Sequence, residues 1–219
     1  RYSSQPEEGT ANRRIPVPRG RLLGGSSSIN GLVFVRGQPL DYDTWGQLGN
    51  RGWSFDDVLP FFQKMEHYEH GENELRSQGG PLRVSEATDE GPLYDAIKAA
   101  SKELGIPHNP DYNGSSQEGI VRTQTTISNG VRMSTARCYL NPVKNRSNLR
   151  IETNAHVQKL LFEGKKCSGV HFRKNGQDMF VHAHKEVIVC TGGVASPQLL
   201  ELSGIGQAQL LTDNGIEVK

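Results

Sequence analysis

Apolar residues recur at helical spacing in two segments of the first half of the chain. The first, "SFDDVLPFFQKM", predicts a helix for which Ser54 is a good N-cap. Pro60 is expected in or near its first turn, where a proline costs least. The second, "GPLYDAIKAASKELG", predicts a helix that ends at Gly105 as C-cap. The apolar face of this second helix consists of Leu93, Ile97, Ala100 and Leu104.

Strand signals lie before, between and after these helices. Residues 1–18 are polar and contain prolines, which predicts extended or loop structure, and "QGGPLRVSEA" predicts a short strand. In "IVRTQTTISNGVRM" apolar and polar residues alternate around Asn129 and Gly130, a pair typical of tight hairpins. "STARCYL" then predicts a brief helix capped by Ser134.

The last third of the chain has the pattern of successive strands. In "NLRIETNAHVQKLLFEGKKCSGVHFRKNGQDMFVHAHKEV", turns are predicted at Glu163-Gly164 and at Asn175-Gly176, about one strand length apart. The apolar run at residues 187–190 predicts a buried parallel strand that ends in a glycine turn.

A helix is predicted directly after this glycine turn. Ser196 is expected to cap it, Pro197 to be its first residue and Gly204 to follow its end. A buried strand, a glycine turn and a helix N-terminus in this order form either an ordinary β-turn-α joint or a place where α/β proteins bind nucleotides.

One stretch, "GRLLGGSSSINGLVFVRG" at residues 20–37, fits neither periodic pattern. Glycine removes the Cβ barrier to close backbone approach, and serine hydroxyls bond to phosphates or ring heteroatoms. Asn30 donates and accepts hydrogen bonds at once. A flexible surface loop would explain the glycines but not the immediate change to "LVFVRG". Two interpretations remain at this point: a surface loop, or a backbone that lies against a cofactor.

Composition excludes several classes of protein. The 25 basic and 24 acidic residues nearly cancel, so no nucleic-acid or membrane partner is expected through bulk charge. No apolar run approaches the ~20 residues that a membrane-spanning helix needs. Cys138, Cys167 and Cys190 never form a C-x-x-C pair, which argues against a disulfide framework and favours a reducing, cytoplasmic location. The apolar fraction of 34% is low for a self-contained globular protein and indicates a piece of something larger.

Histidines offer the candidates for a metal site. His182 and His184 lie on one face of a predicted strand, but no third ligand is near in sequence and we expect them to face solvent. The helix end that carries Glu66, His67 and His70 is expected to be solvated as well. The sequence therefore predicts no metal site. It also lacks the G-x-S-x-G, P-loop and G-x-G-x-x-G motifs.

Three stretches together resemble the glucose-methanol-choline oxidoreductases, flavoproteins that oxidise alcohols with bound FAD. "GRLLGGSSSINGLVFVRG" is similar to the first signature of that family, and "ASPQLLELSGIG" to the second. "GVRMSTARCYLNPVKNRSNLRIETNAHV" is similar to the segment that crosses from the substrate domain back to the flavin domain. One departure is Gly193, where an alanine or another small residue is usual.

The resemblance implies which residues contact the cofactor. Val157 matches the residue whose backbone pairs with the adenine, and Thr191 and Gly192 are expected to border the cofactor. Some family members tether FAD through a histidine just before the matching asparagine, and Ile29 stands there in this chain, so we expect non-covalent FAD. The expected contacts of the flavin ring are Gly24, Gly25, Asn30, Gly31, Leu32 and Val33.

Two family elements have no match in these residues. The N-terminal βαβ unit with its G-x-G-x-x-G motif has no counterpart, nor has the later segment with the catalytic histidine and its His or Asn partner. No catalytic residue is therefore assigned within the chain. We expect a central segment of a larger enzyme that does not oxidise alcohols by itself.

The resemblance also implies architecture and activity. The expected fold class is α+β, an incomplete α/β FAD-binding domain with part of a sheet-containing substrate domain. Residues 1–79 and 141–219 would belong to the former and residues 80–140 to the latter. The expected reaction is oxidation of a small-molecule alcohol by hydride transfer to flavin N5, as in the choline dehydrogenase branch. The alternatives are a hydroxynitrile lyase of the same fold and a non-catalytic truncated remnant.

Overall fold

Helices and strands are mixed along the chain, which confirms the expected α+β class. The computed structural model describes residues 2–88 and 91–219, in two compact units, Arg1–Leu149 and Arg150–Lys219. The helices are α1 (Pro39–Gln47), α2 (Phe55–Met65), α3 (Pro92–Glu103), α4 (Gly192–Leu202) and α5 (Ala208–Asp213). The strands are β1 (Tyr2–Ser3), β2 (Pro16–Val17), β3 (Glu66–Tyr68), β4 (Leu82–Glu86), β5 (Gln124–Thr125), β6 (Ile127–Ser128), β7 (Val131–Arg132), β8 (His156–Glu163), β9 (Lys166–Lys174) and β10 (Gln177–His182).

The first unit is built around a small three-stranded sheet. Strand β4, which the sequence predicts, pairs in parallel with β3 and antiparallel with β5. Phe34, Tyr68 and Val84 form the buried apolar cluster on this sheet, and Met65 and Leu82 pack against it. Phe34 belongs to the "LVFVRG" run. The chain is therefore anchored in this core directly after the sequence "GGSSSING".

Helix α2 begins as its sequence predicts, with one exception. Ser54 and Asp57 form a capping box, in which the Ser54 backbone N–H donates to the Asp57 carboxylate at 3.1 Å. The placement of Pro60 was wrong, because it lies at the sixth helical residue, in the second turn. Its ring removes one interior N–H donor there, and the helix continues to Met65.

Helix α3 also forms as expected, and Gly105 follows it with a φ of +73°. Its apolar face is not covered by the described residues, since Leu93 is 74% and Leu104 77% exposed. Helix α1 was not predicted, although Pro39 at its first turn and Asp41, whose carboxylate accepts the Gln38 backbone N–H, are ordinary start signals.

The remaining short elements of the first unit mostly follow the predictions. Asn129 and Gly130 both have positive φ, at +49° and +71°, and join β6 to β7 as a tight hairpin. The predicted brief helix exists as one π-helical turn, Ala136–Leu140. At the start of the chain β1 pairs with β2. The loop or extended structure predicted for residues 1–18 is thus partly strand, and Arg1 lies outside the described residues.

Under the sheet lies a buried ionic network, which corrects the expectation of a solvated helix end. Glu66 is 0% exposed, because it is the first residue of β3 and points with Tyr68 into the core. Its carboxylate accepts hydrogen bonds from Arg36 Nη2 at 2.7 Å and from Arg76 Nη2 at 2.6 Å. Arg76 Nη1 also bonds the Asp111 carboxylate at 2.6 Å. His70, by contrast, is exposed as expected.

The network continues to the backbone of the apolar run. Gln124 Nε2 donates to Asp111 Oδ1 at 2.8 Å, and Asn113 Nδ2 donates to Gln124 Oε1 at 2.8 Å. The Arg36 backbone N–H donates to Asn113 Oδ1 at 2.7 Å. Burial lowers the pKa of the Arg36 guanidinium, an effect that Glu66 partly opposes. Buried charged and amide side chains therefore anchor the "LVFVRG" run by hydrogen bonds.

Tyr68 gives this core a measurable pH dependence. Burial raises the pKa of its phenol from 10.0 to about 12, and the Asp111 carboxylate adds to the shift. Between these two values the unfolded chain loses the phenolic proton while the native chain keeps it. We therefore expect the free energy of unfolding to be unaffected by this group below pH 10 and to fall by about 2–3 kcal/mol as the pH rises to 12.

Urea unfolding between pH 9 and 12 checks this expectation. The variant Tyr68→Phe should show a smaller alkaline decrease than the wild type, whereas Tyr2→Phe, at an exposed position, should not. Equal decreases in the wild type and in Tyr68→Phe would assign the alkaline effect to other groups.

The second unit consists of the predicted meander and the helix that packs on it. Strands β8, β9 and β10 are antiparallel in the order β10-β9-β8, with turns at Gly164 and at Asn175-Gly176. Helix α4 packs on β8, and Ser203 Oγ joins them by accepting the Leu160 backbone N–H at 2.8 Å. The apolar residues buried in this unit are Leu160, Phe172, Leu199 and Leu211.

Two predictions for the second unit were wrong. Residues 187–190 form no strand, and Ile188 is 76% exposed, because no described strand lies beside this run to pair with it. Helix α4 begins at Gly192 with Thr191 as N-cap, so Ser196 and Pro197 lie inside the helix. Ser196 Oγ is 2.9 Å from Thr191 Oγ1, so the serine hydroxyl helps to order the first turn. Gly204 follows the helix with a φ of +94°, as expected.

Candidate functional site

Residues 20–33, here called the glycine–serine loop, fold tightly upon themselves. Gly20 faces the next turn of the loop, and a Cβ there would lie 2.2 Å from the Gly25 carbonyl oxygen. Gly24 has a φ of +90°, and a Cβ there would lie 2.4 Å from Ser28 Oγ and 3.2 Å from Ala136 Cβ. A 3₁₀ turn, Gly25–Ser28, connects these glycines to Asn30. These glycines are therefore required by the fold of the loop itself.

The loop is anchored by residues more than 100 positions later in the sequence. Ser27 Oγ donates to the Gly24 carbonyl at 2.5 Å and accepts the Thr135 backbone N–H at 2.9 Å. Thr135 Oγ1 donates to the same Gly24 carbonyl at 3.2 Å. Arg132 Nη1 donates to the Asn30 carbonyl and to Asn30 Oδ1, each at 2.8 Å. Two of the stretches that carry the family resemblance thus lie in direct contact.

Leu32 takes a backbone conformation that leucine rarely adopts, with a φ of +70°. Neighbouring groups hold it there: Asn30 Oδ1 accepts the Leu32 N–H at 3.2 Å, and the Leu32 carbonyl accepts the Thr126 N–H at 2.9 Å. Strained positions of this kind concentrate at ligand-binding sites. The strain redirects the chain from the loop into the run that begins at Val33.

One side of the loop is open. Gly31 has no atom within 4 Å of an added Cβ and no positive φ, so nothing among the described residues requires glycine there. Val33 is exposed. The backbone hydrogen bonds to the Gln124–Thr126 segment are made by its neighbours Leu32 and Phe34. In the part of the chain that the structure describes, the backbone N–H groups of Gly31 and Val33 donate no hydrogen bond. Gly31 and Val33 therefore offer free backbone donors, and Gly31 has no side chain of its own to cover them.

The structure thus brings together six of the nine predicted cofactor contacts, all of them in the glycine–serine loop. Val157 lies in β8, an edge strand whose outward backbone groups are not paired within the described sheet. Thr191 and Gly192 lie at the N-terminus of α4, both exposed, and Gly192 has a φ of +90°. These three residues belong to the second unit. Their contacts with a cofactor stay predictions.

The sequence interpretation missed the residues that anchor the glycine–serine loop. Ser27, Arg132 and Thr135 lie within quoted motifs, but no local signal shows that they meet across the chain. His182 and His184 are both exposed. Among residues 2–88 and 91–219, no group of three or more His, Cys, Asp or Glu side chains is arranged to hold a metal ion. No helix in these ranges has the length and apolar character needed to cross a membrane.

Comparison with known proteins extends the picture to the whole chain. The chain is 45% identical over 218 residues to the oxygen-dependent choline dehydrogenase of Rhizobium johnstonii, and the match covers 100% of the chain and 40% of that relative. It is 42% identical over 220 residues to the enzyme of the same name from Photobacterium profundum, of which it covers 39%. The chain therefore spans well under half the length of the curated relatives it matches.

Solved structures agree with this relationship. Pyridoxine 4-oxidase from Mesorbium loti superimposes with a TM-score of 0.91 at 33% identity, over 99% of this chain and 43% of that one. An FAD-dependent oxidoreductase from Chaetomium thermophilum gives a TM-score of 0.91 at 32% identity, over 99% of this chain and 40% of that one. The family model described as GMC oxidoreductase matches residues 7–215. The chain belongs to the GMC oxidoreductase family.

Proposed function

We propose that the chain supplies part of the FAD site of an enzyme that oxidises choline or a similar small alcohol. The observation that carries the proposal is the open face of the glycine–serine loop. Among residues 2–88 and 91–219, nothing accepts the N–H groups of Gly31 and Val33, and nothing requires glycine at position 31. A flat ring with polar edges fits such a face. The choline preference rests on the relatives that bear this name.

The chain's own residues would position the cofactor. The free N–H groups of Gly31 and Val33 would donate to the polar edge of the ring, where negative charge develops during reduction. The outward backbone of Val157 would pair with the adenine, and Thr191 and Gly192 would border the cofactor at the start of α4. When bound, FAD supplies the hydride acceptor for the alcohol carbon. The base that removes the hydroxyl proton is assigned to no residue of this chain.

The domain assignment belongs to the same proposal. Residues 1–79 and 141–219 would form segments of the FAD-binding domain, and residues 80–140 part of a substrate domain. Since the chain spans 40% of its choline dehydrogenase relatives, oxidation of the alcohol would need residues outside it. The purified 219-residue chain is therefore expected to show no alcohol turnover with added FAD.

Anaerobic reduction tests the proposal in the full-length protein that carries this chain. The purified protein should show flavin absorption, and choline should bleach it in the absence of oxygen. Absence of flavin after reconstitution with FAD, or flavin that stays oxidised with choline and with other small primary alcohols, would contradict the proposed function. Turnover by the 219-residue chain alone would contradict only its dependence on further segments.

We also predict that the FAD is held without a covalent bond. Ile29 stands directly before Asn30, its side chain carries no nucleophilic atom, and it is 48% exposed. Acid precipitation of the flavin-loaded protein should therefore release all of the flavin into the supernatant. Flavin fluorescence that stays with the washed, unfolded protein would show a covalent attachment elsewhere.

A further inference from the structure

Arg132 fixes the orientation of the Asn30 side chain. Its Nη1 lies 2.8 Å from Asn30 Oδ1, 2.8 Å from the Asn30 carbonyl oxygen and 3.2 Å from the Ser27 carbonyl oxygen. Asn30 Oδ1 also accepts the Leu32 backbone N–H at 3.2 Å. Arg132 Nη1 and the Leu32 N–H are both donors. If the amide were rotated by half a turn, its NH₂ group would face these two donors and could bond to neither.

The consequence is a free donor of fixed direction. With Oδ1 occupied twice, Asn30 Nδ2 has no hydrogen-bond partner among the described residues, and the residue is exposed. The guanidinium charge also polarises the amide, because a hydrogen bond accepted at Oδ1 strengthens the donors on the same group. The result is a strengthened N–H donor on an exposed residue that directly precedes Gly31.

Part of the loop's anchoring does not involve Arg132. Ser27 Oγ joins the Gly24 carbonyl to the Thr135 backbone N–H, and Thr135 Oγ1 bonds the same carbonyl. None of these contacts includes the guanidinium. The orientation of the Asn30 amide, by contrast, is set by Arg132 together with the Leu32 N–H.

We propose that Arg132 is a positioning residue that acts on the bound flavin through Asn30, by aiming and strengthening its Nδ2 donor. The inference rests on the proposed function and deepens it, since it names a residue that tunes cofactor affinity and reducibility. A donor that is strengthened by a neighbouring cation binds electron-rich acceptors more tightly. The acceptor atoms of the flavin ring gain negative charge when the ring is reduced.

A double-mutant cycle in the full-length protein that carries this chain tests the inference. Arg132→Met should raise the FAD dissociation constant about tenfold or more and move the flavin midpoint potential to more negative values. In an Asn30→Ala background, Arg132→Met should add little to either quantity. The control Arg146→Met removes an exposed arginine for which the structure gives no side-chain bond, and it should leave both quantities unchanged.

Each contrary outcome is distinct. Unchanged affinity and potential in Arg132→Met, or an equal effect with and without Asn30, would overturn the inference. If Arg132→Met does not fold, Asn30→Asp decides: it keeps an oxygen for Arg132 and for the Leu32 N–H but loses the Nδ2 donors, so it should weaken FAD binding without changing urea unfolding. FAD affinity equal to wild type in Asn30→Asp would also overturn the inference. A wild-type protein that binds no FAD would instead contradict the proposed function.

Discussion

The variant Glu66→Gln is expected to destabilise the first unit by about 3–5 kcal/mol. Glu66 is fully buried and is the shared acceptor of Arg36 and Arg76, and Ser77 N–H also donates to it at 3.3 Å. Glutamine keeps the size of the side chain but removes the negative charge, so two buried guanidinium groups lose their common partner. Its amide NH₂ group would also face one of their donors.

Urea unfolding followed by tryptophan fluorescence measures this change, because both tryptophans, Trp45 and Trp53, lie in the first unit. The control is Glu72→Gln, which removes an exposed carboxylate of the same unit and should change stability little. The double variant Glu66→Gln/Arg36→Met should recover part of the loss, since one unpaired charge disappears. A Glu66→Gln loss no larger than that of Glu72→Gln would show that the network contributes little.

The second large effect is expected from Gly31→Ala, which should weaken FAD binding about ten- to hundredfold without destabilising the chain. An added Cβ at this position meets no atom within 4 Å, and the φ of Gly31 is not positive. Folding therefore tolerates alanine, and reduced freedom of the unfolded chain favours it slightly. A methyl group on the open face would nevertheless occupy the space proposed for the flavin ring.

FAD titration and urea unfolding of the same protein separate the two effects. Gly9→Ala is the matched control, since Gly9 also has an unobstructed Cβ position and no positive φ but lies outside the glycine–serine loop. Gly24→Ala should impair both folding and FAD binding, because its φ is +90° and a Cβ would meet Ser28 and Ala136. If Gly31→Ala bound FAD as tightly as Gly9→Ala, the proposal that the flavin ring lies against Gly31 would be wrong.

The sequence predicts elements well where the signal is local. The N-cap Ser54, the turn pair Asn129-Gly130 and the turn at Gly164 each act within a few residues, and all appear as expected. The strand predicted at residues 187–190 does not form, because its signal is not local. An apolar run becomes a strand only beside a neighbouring strand, and pairing is not encoded in the run itself.

The candidate site shows the same division. Gly31 and Asn30 were identified from a motif that can be read along the chain, whereas the contact of Asn30 with Arg132 joins residues 102 positions apart. The burial of Glu66 was missed because its helix-end context suggested solvent. Only the pairing of β3 with β4 turns that residue inward, where Arg36 and Arg76 neutralise it.

The distant anchoring of the glycine–serine loop has a consequence for the order of folding. Its bonds to Arg132 and Thr135 span 102 to 111 residues, so the ends of a long segment must meet before the loop acquires its shape. Contacts of such separation form late, because chain entropy must be lost before they contribute. A nascent chain that ends before Arg132 contains the complete "GGSSSIN" sequence but lacks the groups that shape it. The loop thus acquires its shape only after most of the first unit has been synthesised.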